Sequence, residues 1–114
     1  MYIVKNIRIG VKKMFTMSDI EIMTLPYFKV VRKSDAMFEL QSRCTRHFWA
    51  VVPIARNRNQ TYYKLLHKYK KSDNYHSQAD FGTVLDAVLE IINHDDYKLN
   101  RKNGYFEEVA ARFS

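Results

Sequence analysis

Four histidines, His47, His67, His76 and His94, and a single cysteine, Cys44, are the side chains best suited to hold a metal or move a proton. His67 and His76 stand nine residues apart across a polar segment, and His94 is followed by Asp95 and Asp96. A metal site encoded locally brings its ligands at short fixed intervals, such as two histidines four apart on one helix. No such interval occurs here. The spacing therefore predicts no metal and no cofactor. His67 reads as a strand residue between sheet and solvent, His76 as a loop residue, and His94 as a helix-end cation favoured by the helix dipole.

Cys44 and His47 have the composition of a nucleophile and its base. A catalytic thiol must be a stabilised thiolate within hydrogen-bond reach of that base, and the flanking Arg43 and Arg46 would favour the thiolate. No glycine-rich turn or helix start accompanies Cys44, so it reads as a small turn residue. His94-Asp95 has the dipeptide of the HD phosphohydrolases, but the further His and Asp ligands of that larger helical domain are missing. Glu39-Leu40-Gln41 ends in Gln where a restriction-type nuclease core needs Lys. Glycine-rich dinucleotide and phosphate loops and a Gly-x-Ser-x-Gly element are absent. The expectation is a protein that is not an enzyme, with Cys44 and His47, or the histidines, as the catalytic alternative.

Charge points elsewhere. Among 114 residues, 19 Lys and Arg face 12 Asp and Glu, for a net charge of +7. Residues 1–72 carry fifteen bases and four acids, whereas residues 73–114 carry four bases and eight acids. The bases of the first part are interleaved with aromatic residues. Lys29, Arg32 and Lys33 accompany Tyr27 and Phe28, and Arg43, Arg46 and His47 accompany Phe48 and Trp49. Cations neutralise phosphates and release counterions, while exposed rings stack on bases. The candidate nucleic-acid-binding residues are Arg43, Arg46, Arg56, Arg58, Tyr62, Lys64, Lys68 and Lys70, with Lys64, Lys68 and Lys70 sharing one face of a strand. The partner expected is DNA or RNA. The alternative is a protein-interaction or regulatory accessory protein that uses an aromatic sheet face or a sheet edge. The same basic residues also suit a plain solvated surface or internal pairing with the acidic part.

These side chains need a scaffold, and its pattern is mixed. Phe81, Val84, Leu85, Val88, Leu89 and Ile92 form one stripe of a 3.6-residue helix over about 80–93, with Asp86, Glu90 and Asn93 facing water. Asp80 is the expected cap, and Asn93-His94-Asp95-Asp96 the expected stop, because such side chains compete with the backbone for hydrogen bonds. Tyr27 to Lys33, Met37 to Ser42 and His47 to Ile54 alternate as strands, with breaks at Ser34-Asp35-Ala36 and Arg43 to Arg46. In the third strand Phe48, Ala50 and Val52 are expected on the core face, and Trp49 and Val51 opposite. Thr61 to Lys71 fits a strand or a helix, and its three tyrosines favour the strand. Tyr2 to Val11 reads as a further strand. Ser18-Asp19-Ile20-Glu21 has the form of a capping box, so 19–24 reads as a short helix or as an extended strand. Residues 105–113 fit a short terminal helix or a frayed tail.

The fold class expected is α+β, one domain over 1–114, with an antiparallel sheet of four or five strands and the main helix packed on one face. The expected core holds Phe28, Val30, Phe38, Leu40, Phe48, Ala50, Val52, Leu65, Phe81, Val84, Leu85, Val88, Leu89 and Ile92. Over residues 27–93 this order of strands and then one helix is similar to the small DNA-binding domains of some integrases and plant AP2 factors. That resemblance lies in the element pattern and implies a sheet that enters a groove of DNA with the helix behind it. The longest apolar run, Phe48 to Ala55, is too short to cross a bilayer. A lone thiol and a start without a charged leader fit the cytoplasm.

Overall fold

A computed structural model describes residues 15–114 of the chain. Helix α1 (Met17–Met23) is followed by strands β1 (Phe28–Ser34), β2 (Met37–Ser42), β3 (Phe48–Asn57), β4 (Gln60–Lys68) and β5 (His76–Phe81), then by helices α2 (Val84–Lys98) and α3 (Tyr105–Phe113). The five strands form an antiparallel meander in the order β1-β2-β3-β4-β5, and α2 packs on it. The α+β expectation holds. Thr61 to Lys71 resolves as a strand in β4. The expected strand over Tyr2 to Val11 lies outside the described residues.

Register decides which side chains meet the helix. Val30 pairs with Leu40, Leu40 with Trp49, Trp49 with His67, and Phe38 with Val51 and then Leu65. Period-two alternation sends this whole set to one face. Leu40, Trp49, Val51 and Leu65 are completely buried there, against Val84, Val88, Ile91 and Ile92 of α2. This corrects the face assigned to β3. Trp49 and Val51 point to the helix, and Phe48 and Val52 lie half-buried on the reverse side. Both faces of β3 are apolar, so its own pattern could not choose between them; its neighbours do. The Trp49 indole N–H donates to Ser42 Oγ at 3.1 Å, which lets a large ring be buried without an orphaned donor. Val30, Phe81, Leu85 and Leu89 prove half-buried at the margin of this core.

The helix boundaries also shift. Thr83, not Asp80, caps α2 by accepting from the Asp86 N–H at 3.0 Å, while Asp80 belongs to β5 and pairs with Lys64. The expected stop at residues 93–96 lies inside the helix, which runs on to Lys98. The reason is that Asp95 spends its carboxylate on tertiary partners and Asp96 pairs with Arg101 at 3.3 Å, so neither competes for the local backbone. In α1 the capping box starts two residues earlier than expected. Thr16 Oγ accepts from the Asp19 N–H and Asp19 accepts from the Thr16 N–H. Ile22 and Met23 of α1 join the core. Tyr105 at the start of α3 stacks on Tyr27 with ring centroids 5.0 Å apart.

Candidate functional site

The meander brings the β2–β3 turn, the β4–β5 loop and the C-terminal end of α2 to one end of the sheet. His47 stands just before β3, His67 near the end of β4, and His94 in the last turns of α2. Because Trp49 and His67 are register partners on the helix side, His67 points under α2. His94 follows Ala87 and Ile91 at seven and three residues, so the same face of the helix carries it onto the cluster. The His47, His67 and His94 ring centroids lie 4.8–5.6 Å apart, and one ring nitrogen of each lies within 4.8 Å of the others. His67 Nε2 is 3.1 Å from His47 Nδ1, and His67 Nδ1 is 3.4 Å from His76 Nε2 on the edge strand. Trp49 forms the floor, 4.2 Å from the His67 ring and 5.0 Å from the His94 ring. Tyr69, half-exposed, stands against His47 and His67, with Lys98 Nζ 5.5 Å from its ring.

Burial favours the neutral forms of His47, His67 and His94. Burial, reinforced by His94, His47, His76 and Lys98, pushes His67 down to about 4. Burial lowers His47 as well, aided by His94 and Lys98 against Asp95. His94 is lowered by burial and Lys98 against the opposing pull of Asp95 and Glu90. These placements correct the sequence reading. His67 is only 1% exposed, and His94 is a largely buried neutral ring rather than a helix-end cation. Its Nδ1 is buried without a hydrogen-bond partner, 3.9 Å from Asp95 Oδ1. A buried polar atom in that state is uncommon.

Asp95 anchors the scaffold behind the cluster. It is fully buried and accepts from the Tyr27 hydroxyl at 2.6 Å and the Thr45 hydroxyl at 3.0 Å. Burial and that hydrogen bond push the Tyr27 phenol far up. Cys44 is exposed and makes its contacts with Tyr27 and Asp95, at 3.5 and 3.7 Å, and not with His47.

The eight candidate nucleic-acid residues do not form one surface. Arg43, Arg46, Lys68 and Lys70 lie at the histidine end, whereas Arg56 and Arg58 lie at the opposite end of β3, about 30 Å away for a strand of ten residues. Arg56 stacks on Tyr62 with its guanidinium 4.7 Å from the ring. Lys64 and Lys68 do share the strand face reverse to the helix, but both are engaged. Lys64 pairs with Asp80 at 3.2 Å. Lys68 has a side chain only 11% exposed, between Glu39 at 3.9 Å and the Tyr75 ring at 4.5 Å. Burial alone would raise the Glu39 carboxyl, but hydrogen bonds from Tyr75 and Arg32 and the nearby cations hold it below its ordinary value.

Sequence reasoning missed the convergence of the histidines because it is long-range. The accessible signal was helical phase, since His94 continues the Ala87–Ile91 face once the helix is allowed to pass residue 93. No family model matches the chain, and neither a curated protein nor a solved structure matches it.

Proposed function

We propose that the protein is a nucleic-acid-binding module whose contact surface is the histidine end of the sheet. The observation that supports this reading is the gathering there of Arg43, Arg46, Lys70, Lys71 and Lys98. All five are exposed, and none is in an ion pair among the described residues. The exposed acid of the two loops is Asp73, which accepts from the Lys70 backbone N–H at 3.1 Å. Five exposed cations against one exposed carboxylate leave a positive excess that attracts phosphates and steers them by its field. Tyr69 stands among these cations, 50% exposed, as a ring on which an unpaired base can stack. Lys64 and Lys68 drop out of the contact set because Asp80 and Glu39 already hold them. Arg56, Arg58 and Tyr62 sit too far away to share the same few nucleotides.

The test is a titration of single-stranded and duplex oligonucleotides at several salt concentrations. On a single strand each neutralised phosphate contributes about 0.7 to the slope of log affinity against log salt. Replacing Arg43, Lys70 and Lys71 together with Gln should flatten that slope by up to about 2, and Tyr69→Ala should weaken single-strand binding by about 1–3 kcal/mol. Replacing Arg56 and Arg58 should leave both unchanged. Absence of binding at low salt, or a slope indifferent to the triple substitution, overturns the reading.

A further inference from the structure

The histidine cluster has a geometry that phosphate binding does not require. Backbone recognition needs exposed cations, yet His67 is buried and its two ring nitrogens face two other histidines. Three side chains from three separate elements, a turn, a strand and a helix, are brought to one point. We propose that His47, His67 and His94 form a binding site for a divalent late first-row transition cation of the zinc class.

Ligand geometry supports this. A tetrahedral ion with metal–nitrogen distances of about 2.0–2.1 Å holds its nitrogens about 3.3 Å from one another. The His47 Nδ1 to His67 Nε2 distance is already 3.1 Å. One ring nitrogen of each residue lies within 4.8 Å of those of the other two, so a displacement of about 1.5 Å at most brings them to the tetrahedral spacing. Imidazole is the ligand that zinc, copper and nickel accept most readily, and no hard oxygen donor is part of the group, which disfavours magnesium and calcium.

The surroundings fit as well. A metal-bound imidazole usually gives its second N–H to a fixed acceptor, which sets the tautomer and the ring orientation. With Nε2 of His67 turned to the metal, its Nδ1 faces His76 Nε2 at 3.4 Å and can donate to it. His76 is therefore a positioning residue. Nδ1 of His94 stands 3.9 Å from the Asp95 carboxylate, and a small turn of the ring brings the two into hydrogen-bond range. That turn would also satisfy the buried nitrogen that now has no partner. Tyr27 and Thr45 hold the Asp95 carboxylate in place for this role. Lys98 near the cluster opposes a cation, while Asp95 and Glu90 facing His94 offset it. Three protein nitrogens leave a fourth position for water or a small ligand.

The experiment uses the untagged full chain, stripped with a chelator, titrated with Zn²⁺ by calorimetry and against a chromogenic competitor. Co²⁺ absorption reports coordination geometry. One Zn²⁺ per chain is expected, with a Co²⁺ spectrum of tetrahedral intensity. His47→Gln and His94→Gln, at half-buried positions where the fold is expected to survive, should each weaken binding by at least about 100-fold, and His76→Ala by about 10–100-fold. Circular dichroism checks that the variants remain folded. Cys44→Ser should leave binding unchanged, and so should the Arg43, Lys70 and Lys71 triple substitution. That variant separates this site from the nucleic-acid reading, because loss of oligonucleotide binding with zinc binding intact leaves each proposal to its own test. Zinc binding no tighter in the wild type than in the folded His47→Gln and His94→Gln variants would overturn the proposal. So would a Co²⁺ spectrum of six-coordinate intensity.

Discussion

Acid should unfold this protein through its histidines, and the effect can be worked out for His67. In the unfolded chain an imidazole titrates near 6.5; in the folded protein burial and its cationic neighbours push His67 down to about 4. Between those values the unfolded state binds a proton that the native state refuses. Stability contributed by neutral His67 is therefore fully present above about pH 6.5 and is lost as pH falls towards 4. The full loss amounts to about 3 kcal/mol, of which about 2 kcal/mol has gone by about pH 5. His47 and His94 are lowered too and deepen the same trend. The three rings titrate as a coupled group, so the curve belongs to the cluster and not to one residue.

His67→Gln removes this proton site together with its coupling to the neighbouring rings, since an amide can still hydrogen-bond but does not titrate. Urea unfolding is followed at about pH 7.5 and about pH 5 in excess chelator, which keeps metal out of both states. The wild type should lose about 2 kcal/mol more than the variant across that interval, a relative midpoint shift of about 1 M for an m value near 2 kcal/mol/M. Carboxylates titrate equally in both proteins and cancel. Parallel loss of stability in the two would refute the reasoning, because it would mean that His67 accepts its proton as easily inside as outside.

Three further outcomes are expected. Ile91→Ala, at a completely buried position, should cost about 2–5 kcal/mol in equilibrium unfolding, and Leu89→Ala, half-buried at the core margin, distinctly less. Thr83→Ala should cost about 1 kcal/mol by removing the cap of α2, more than Asp80→Ala, whose exposed pair with Lys64 stabilises by about 0–1 kcal/mol. Arg46 adopts a positive φ of 68°, so Arg46→Gly should hold or raise the melting temperature while lowering the salt slope of oligonucleotide binding.

Much of the fold could be read from the sequence where one face is apolar and the other is not. β1 and β2 alternate, and the stripe through Val84, Val88 and Ile92 identifies α2, whereas β4 fits a strand or a helix until its pairing with β3 settles it. The misreadings have a common cause. β3 is apolar on both faces, and only the pairing of Leu40 with Trp49 tells which side meets the helix. β5 has the composition His-Ser-Gln-Ala-Asp-Phe, which carries little strand propensity; it is a short polar edge strand held by its ladder with β4. The end of α2 was hidden because Asp95 reads as a helix stopper until one knows that Tyr27 and Thr45 occupy it.

The same distinction governs the site. A turn residue, a strand residue and a helix residue, separated by 20 and 27 positions, share no local pattern, and any spacing rule rejects them. They meet because the strands lie antiparallel, which returns β4 to the level at which β3 began, and because α2 runs back over the sheet to that level. Asp95 then fixes the height of the helix over the β2–β3 turn through Thr45, and over the entry to β1 through Tyr27. A buried carboxylate that ties three elements together one residue from His94 is a costly choice for stability alone, since a well-packed apolar side chain often serves as well. Through Tyr27 and Thr45 it holds α2 at the level where the His94 ring meets His47 and His67.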